Sequence, residues 1–251
     1  MEQLVSKAGI LSGTVLKWIA VISMTIDHIG YIFFPQEIWL RALGRLAFPI
    51  FAYMIAEGCY YTKNKKKYLG MIFAVGILCQ AAMLIAANSW NLNALFTLGF
   101  SVVLICLLQW ARGSRDILGS GDSGLQKSGQ THRILPWVII ILVLACYVFL
   151  DYGMRGFFPD FKIDYGIFGI TLGTVIYIMP KKYQKILVMA LWLILMCIVR
   201  GSFRGVQWWS LFAVFPLLLY NGKPGKYRMK YFFYLYYPIH LGILWGIYFL
   251  R

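Results

Sequence analysis

Residues 15–34 read VLKWIAVISMTIDHIGYIFF. About 20 apolar residues in a helix cross the roughly 30 Å hydrocarbon core of a bilayer, and this stretch has that length. Within it stand Lys17, Asp27 and His28. An ionisable side chain inside a spanning helix costs roughly 2.5–3.5 kcal/mol on insertion scales, so each is a candidate for function. Lys17 and His28 are about three helical turns apart, on nearly one face, with about 16 Å between them along the axis. Lys17 then lies at one membrane surface and His28 deep in the span, so the chemistry of this chain is expected at or near His28.

The rest of the 251 residues is of the same kind. The chain is 61% hydrophobic and 13% charged, with a mean hydropathy of +0.70, whereas soluble domains carry about 25% charged residues. The expected fold is all-α, a polytopic transmembrane helical bundle forming a single domain over residues 1–251. The formal net charge of +15 is read as membrane topology rather than nucleic-acid binding. Cys59, Cys79, Cys106, Cys146 and Cys197 lie in apolar runs with no CxxC, so no metal and no disulfide is expected. The first apolar run is too long for a signal-peptide core and should remain as a span.

Nine spans are predicted, at 15–34, 38–61, 68–87, 92–110, 134–150, 164–179, 185–199, 206–220 and 231–250, the sixth to eighth being short. Alternate loops are unequal in charge: one set holds 17 of the 24 Lys and Arg residues. That asymmetry puts the N-terminus in the cytoplasm. Residues 112–133, rich in Gly and Ser, read as a flexible cytoplasmic loop.

With this orientation Arg41 and Arg45, at i,i+4 on one helix face, sit at the outer end of the second span. Arg45 reaches the depth of Asp27 and His28, so an Asp27–Arg45 pair is expected, serving either the site or simple charge neutralisation. Pro49 should free the Arg45 carbonyl and kink the second span beside His28. Glu57, near the cytoplasmic end of that span, is expected to be protonated, paired with Lys63, or facing water. In the ninth span Tyr236 and His240 share a face, and His240 is either a packing residue or a second site histidine. Asp164, opening the sixth span, is expected to cap its free amides.

Histidine suits proton transfer near neutrality. No G-x-S-x-G, no Cys–His spacing and no H-E-x-x-H occurs to suggest a protease. A His flanked by an acid and an Arg, in a helix with a basic mouth, suits acyl transfer: the His takes a proton from an amine or hydroxyl, and the Arg stabilises the developing oxyanion. His28, Asp27 and Arg45 are the expected catalytic set.

The run Leu16-Lys17-Trp18-Ile19-Ala20 through Thr25-Ile26-Asp27-His28-Ile29-Gly30 resembles the opening of the TraX family. So do Arg45-Leu46-Ala47-Phe48-Pro49-Ile50-Phe51-Ala52-Tyr53 with Glu57-Gly58, and the basic segment at Lys65–Tyr68. Asn93 to Gly99, Asp164-Tyr165-Gly166-Ile167-Phe168-Gly169, and Lys230 to Tyr234 through Tyr237-Pro238-Ile239-His240 follow in order. The family is named for acetylation of the N-terminal residue of F-type pilin and is similar to a wider superfamily of membrane acyltransferases. That superfamily carries a basic residue, ten intervening residues and a His in the first span; Lys17 and His28 match, with Lys where Arg is common. The resemblance implies acetyl-CoA as donor. Lys17, Arg41, Tyr236, His240 and Glu57 are the residues expected to line its path.

The leading expectation is thus an acetyltransferase of the bacterial-type cytoplasmic (inner) membrane. It takes acetyl-CoA from the cytoplasm and modifies an acceptor at the outer face: a protein N-terminus, a glycan or a small molecule. A proton-coupled transporter or lipid flippase gated by Asp27, His28 and Arg45, and a non-catalytic assembly factor, are the alternatives.

Overall fold

The computed structural model describes residues 9–113, 131–158, 161–200, 205–226 and 229–251. The loop expected at 112–133 falls mostly outside them, as do Lys7 and Arg204. The helices are α1 (Gly13–Phe33), α2 (Ile38–Gly44), α3 (Ala47–Tyr61), α4 (Lys65–Ala87), α5 (Ala94–Ala111), α6 (Thr131–Val148), α7 (Gly166–Ile178), α8 (Lys182–Val199), α9 (Val214–Leu218) and α10 (Lys230–Leu250). A π turn at Phe149–Gly153 extends α6, and a 3-10 stretch at Val206–Ala213 leads into α9. The protein is an all-α polytopic bundle.

Among the described residues, seven segments are long and apolar enough to cross a membrane, α2 and α3 counting as one. Their boundaries follow local chemistry. Ser12 Oγ accepts from the Val15 amide at the start of α1, and Asn64 and Asn93 serve α4 and α5 in the same way, satisfying amides that a helix leaves free. Large apolar side chains such as Ile22, Ile77, Leu78, Ile141 and Leu187 point outward, as lipid-facing residues do, since packing between spanning helices relies on fit and small residues rather than on hiding apolar surface.

α1 and α10 run parallel. Trp18 packs on Phe232 and Phe233 near both starts, at ring distances of 5.1 and 5.7 Å. Phe33 meets Tyr248 near both ends, at 6.4 Å. Parallel first and last spans require that the two short segments both traverse the bundle or that neither does. Contacts at each end show that both run from one end of the bundle to the other. α7 lies along α3, with Tyr165 stacked on Phe48 at one end and Tyr177 stacked on Tyr60 at the other. The 206–220 segment packs on α2 at one end. At the other, the amide of Leu11 donates to the Leu219 carbonyl, and Lys182 Nζ donates to the carbonyls of Leu218 and Tyr220. Its 3-10 turns rise about 2.0 Å per residue against 1.5 Å for an α-helix, so 13 residues reach roughly 23 Å.

The seventh span is an 18-residue helix, longer than the sequence suggested. The second is broken rather than kinked. α2 stops at Gly44 and α3 begins at Ala47, so Pro49 falls in the first turn of α3, where its missing N–H leaves no gap. At the break the Arg45 amide donates to Ala42, three residues back. The carbonyl of Arg41 is thereby released, and Arg45 Nε takes it at 3.3 Å. Ser23 of α1 donates to the Leu43 carbonyl at 2.6 Å, tying α1 to the break.

Asp164 does not cap α7. The left-handed pair Tyr165 (φ 60°) and Gly166 (φ 52°) turns the chain into the helix, and it is the buried Asp151 carboxylate that accepts from the Ile167 amide at 3.2 Å. Arg200 also donates to Asp151, at 3.1 Å. A Cβ at Gly166 would lie 2.1 Å from Asp151 and 1.8 Å from Arg200, so this approach requires glycine.

Candidate functional site

The site lies between α1, the α2–α3 break and α10. Asp27 is its electrostatic centre. Its two carboxylate oxygens accept one guanidinium each: Arg41 Nη1 to Oδ2 and Arg45 Nη2 to Oδ1, both at 2.8 Å. Arg41 also donates to the Asp27 backbone carbonyl at 3.1 Å and lies over the Tyr31 ring. The carboxylate is 16% exposed, against 14% for Arg45 and 29% for Arg41. The i,i+4 spacing of the two arginines puts both beside one acid, two guanidinium groups to a single carboxylate, with Asp164 nearby. The expected Asp27–Arg45 pair is present, and Arg41 makes it a triad.

The triad depends on Gly44. A Cβ there would lie 2.2 Å from the Asp27 Cβ and 2.3 Å from its Oδ1, inside any contact distance. Gly44→Ala is therefore expected to push α1 from α2 and lower stability by about 1–3 kcal/mol, the usual cost of overpacking. A fall in the thermal midpoint of the detergent-solubilised protein is the check; an unchanged midpoint would show that Asp27 relocates freely.

His28, next in sequence, faces α10. Its Nδ1 lies 3.0 Å from Nε2 of His240. His240 is held in turn: its Nδ1 lies 2.9 Å from the Tyr236 carbonyl, and the rings of Tyr236 and Tyr237 stack against it. One turn before His28, Thr25 shares a 2.7 Å hydrogen bond with the Tyr236 hydroxyl. Further along, Lys17 Nζ sits 5.7 Å from the Phe233 ring centre. The whole Lys17–His28 face of α1 thus meets α10, through Phe233, Tyr236, Tyr237 and His240.

The structure brings Asp27, His28, Arg41, Arg45, Tyr236 and His240 together. It leaves Lys17 at the far end of the seam and puts Glu57 elsewhere. Glu57 pairs with Lys185 of α8, not with Lys63, which is exposed. Lys185 also lies over the Tyr60 ring. Beside that pair Lys65 bonds Gln109, whose amide donates to the Tyr177 hydroxyl at 2.5 Å. Sequence reasoning missed Tyr165, a non-glycine residue in the left-handed region stacked 3.6 Å from Phe48. Such backbone strain concentrates at functional sites. The Asp-Tyr-Gly triplet was its signal. Among the described residues no group of three or more His, Cys, Asp or Glu has the arrangement to hold a metal ion.

The family model for the TraX protein matches residues 12–248. The chain belongs to the TraX family. It is 27% identical over 256 residues to the probable fimbrial assembly protein FimC, serogroup H1, of Dichelobacter nodosus, a match covering 91% of this chain and 92% of that protein. The Protein TraX of Escherichia coli is 28% identical over 98 residues, 37% of this chain and 39% of that one. No solved structure matches significantly. Every candidate residue described above lies inside the span that matches the TraX family.

Proposed function

We propose that this TraX-family protein is an integral acetyltransferase of the bacterial cytoplasmic membrane. Acetyl-CoA enters at the Lys17 end, and an amine or hydroxyl is acetylated at the end where Arg41 and Arg45 lie. His28 is the general base: the acceptor nitrogen or oxygen bonds to the acetyl carbon as its proton passes to His28, the carbon–sulfur bond breaks, and the proton moves on to the thiolate. Asp27 orients the arginines, whose guanidinium groups favour the oxyanion that develops on the acetyl group. The observation that carries this reading is the half-buried imidazole of His28, set within a spanning helix between a two-arginine clamp and a second histidine. A packing residue has no need of that surround.

Basic segments gather at the Lys17 end. Gly13 donates to the Lys223 carbonyl, and Lys182 reaches Tyr220, beside Leu11. Such a mouth suits the phosphates of coenzyme A. The near full-length likeness to a fimbrial assembly protein favours a pilin-type protein as acceptor, and it also keeps in play a role in assembly without chemistry.

Purified protein in liposomes, given radiolabelled acetyl-CoA and a peptide with a free N-terminus, tests the reading. Label transfer with release of coenzyme A is expected; neither occurring over a panel of amine and hydroxyl acceptors would leave the assembly role. Lys17→Gln is expected to raise KM for acetyl-CoA by about 1.4- to fivefold, the range for an ion pair worth about 0.2–1 kcal/mol, with the wild-type advantage fading in high salt. An unchanged KM would confine Lys17 to topology.

A further inference from the structure

The two histidines are joined in a way that assigns their hydrogens. His240 Nδ1 faces the backbone oxygen of Tyr236 at 2.9 Å. A carbonyl oxygen only accepts, so His240 Nδ1 carries a hydrogen. A neutral imidazole has a single N–H, so His240 Nε2 is a lone pair and accepts. The atom facing it at 3.0 Å is Nδ1 of His28, which must be the donor. The lone pair of His28 is then on Nε2. The assignment follows from the hydrogen-bond network, the usual ground for placing imidazole hydrogens.

We propose that His240 is a positioning residue that holds His28 in its Nδ1–H tautomer and leaves Nε2 as the nitrogen that takes the acceptor's proton. This rests on the general-base reading of His28. The relay has a fixed frame. Tyr236 supplies the carbonyl at one end of the chain and, through its hydroxyl, a bond to Thr25 of α1, so the register between α1 and α10 is locked one turn from the histidines. The rings of Tyr236 and Tyr237 stack on His240 at interplanar angles of 17° and 21°, which limits rotation about its side-chain bonds. Tyr237 also contacts the His28 ring, 5.7 Å between centres.

The arrangement has two chemical effects. An unconstrained histidine side chain in water favours the Nε2–H form, so an acceptor at Nδ1 is what makes Nε2 basic. When Nε2 takes a proton, the Nδ1–H bond to His240 persists and strengthens, because its donor is then charged. His240 therefore supports the imidazolium without touching the substrate. When Nε2 releases that proton to the thiolate, the original tautomer returns with no rearrangement at His240.

The chain has three histidines, so the tautomers are accessible by nitrogen NMR on the full-length, 15N-histidine-labelled protein in nanodiscs at a pH where the rings are neutral. His28 signals are assigned by their loss in His28→Gln. The expected spectrum has a pyrrole-type Nδ1 and a pyridine-type Nε2 at His28. In His240→Ala that pattern should collapse toward the Nε2–H form, with kcat for acetyl transfer falling on the order of 10²-fold and KM for acetyl-CoA little changed. His240→Gln sets an amide oxygen where Nε2 stood, so it should keep the tautomer and recover most of kcat. A native His28 in the Nε2–H form, or a His240→Ala spectrum that retains Nδ1–H, overturns the proposal whatever the activity. Native protein with the Nδ1–H signature but no acetyl transfer would instead remove the transferase reading and leave the hydrogen-bond assignment intact.

Discussion

His28→Ala is expected to lower acetyl transfer by about 10²–10⁴-fold, the usual cost of losing a general base. The protein should remain extractable, because the change removes a half-buried ring at the α1–α10 seam and leaves the Asp27 clamp in place. His240 Nε2 is then left facing the vacated space, bordered by the Tyr236 and Tyr237 rings. Transfer should be measured at saturating acetyl-CoA to separate chemistry from donor binding. Near-native transfer by a folded His28→Ala protein would take His28 out of the mechanism and return the transporter and assembly readings to first place.

The largest effect on stability is expected at Asp27, and the geometry gives it a direction that a simple ion pair would not have. One carboxylate serves two guanidinium groups. Removing Arg45 leaves Arg41 and Asp27 paired and neutral. Removing Asp27 leaves two adjacent cations without the carboxylate that bonds both, with Asp164 as the remaining acid near them. Breaking a buried pair by deleting one partner costs about 3–5 kcal/mol, and Asp27→Ala should reach that range while Arg45→Met falls well below it. Asp27→Ala combined with Arg41→Met and Arg45→Met should recover much of the loss. Denaturation in mixed micelles, read as a set of mutant cycles, is the check. Equal losses for Asp27→Ala and Arg45→Met, or strict additivity in the triple variant, would contradict a shared clamp.

The all-α bundle of long apolar helices was legible because bilayer thickness fixes span length, and seven of the segments described have that length; the contacts of Leu11, Lys182 and Tyr220 collect three basic segments at one end. The local pairing of Asp27 with Arg45 was legible too, since α1 and α2 are joined by a short turn and depth alone aligns them. What escaped were features set by tertiary position. Glu57 pairs with Lys185, 128 residues away, and not with the neighbouring Lys63: α8 packs on α7, and α7 lies along α3, so Lys185 is brought to Glu57 only by tertiary position. Asp151 rather than Asp164 meets the start of α7, because the tight left-handed turn at Tyr165–Gly166 leaves the cap to a side chain from the end of α6. The break at Gly44–Leu46 was mistaken for a proline kink, since a Pro in a first turn and a Pro in mid-helix look alike until the helix start is known. The bond between His28 and His240 depends on two helices packing in parallel from opposite ends of the chain, which no local pattern encodes.

That parallel packing also bears on biogenesis. His28 and His240 are separated by 212 positions. At translation rates of about 5–20 residues per second, roughly 10–40 s pass between synthesis of the two. During that interval the polar face of α1 has entered the membrane without α10. Thr25 and His28 must find water, lipid headgroups or an insertion factor in the meantime, while Asp27 already has its arginines from the adjacent α2. The nascent chain therefore holds its charges early and its imidazoles late, and the histidine pair forms only when α10 arrives.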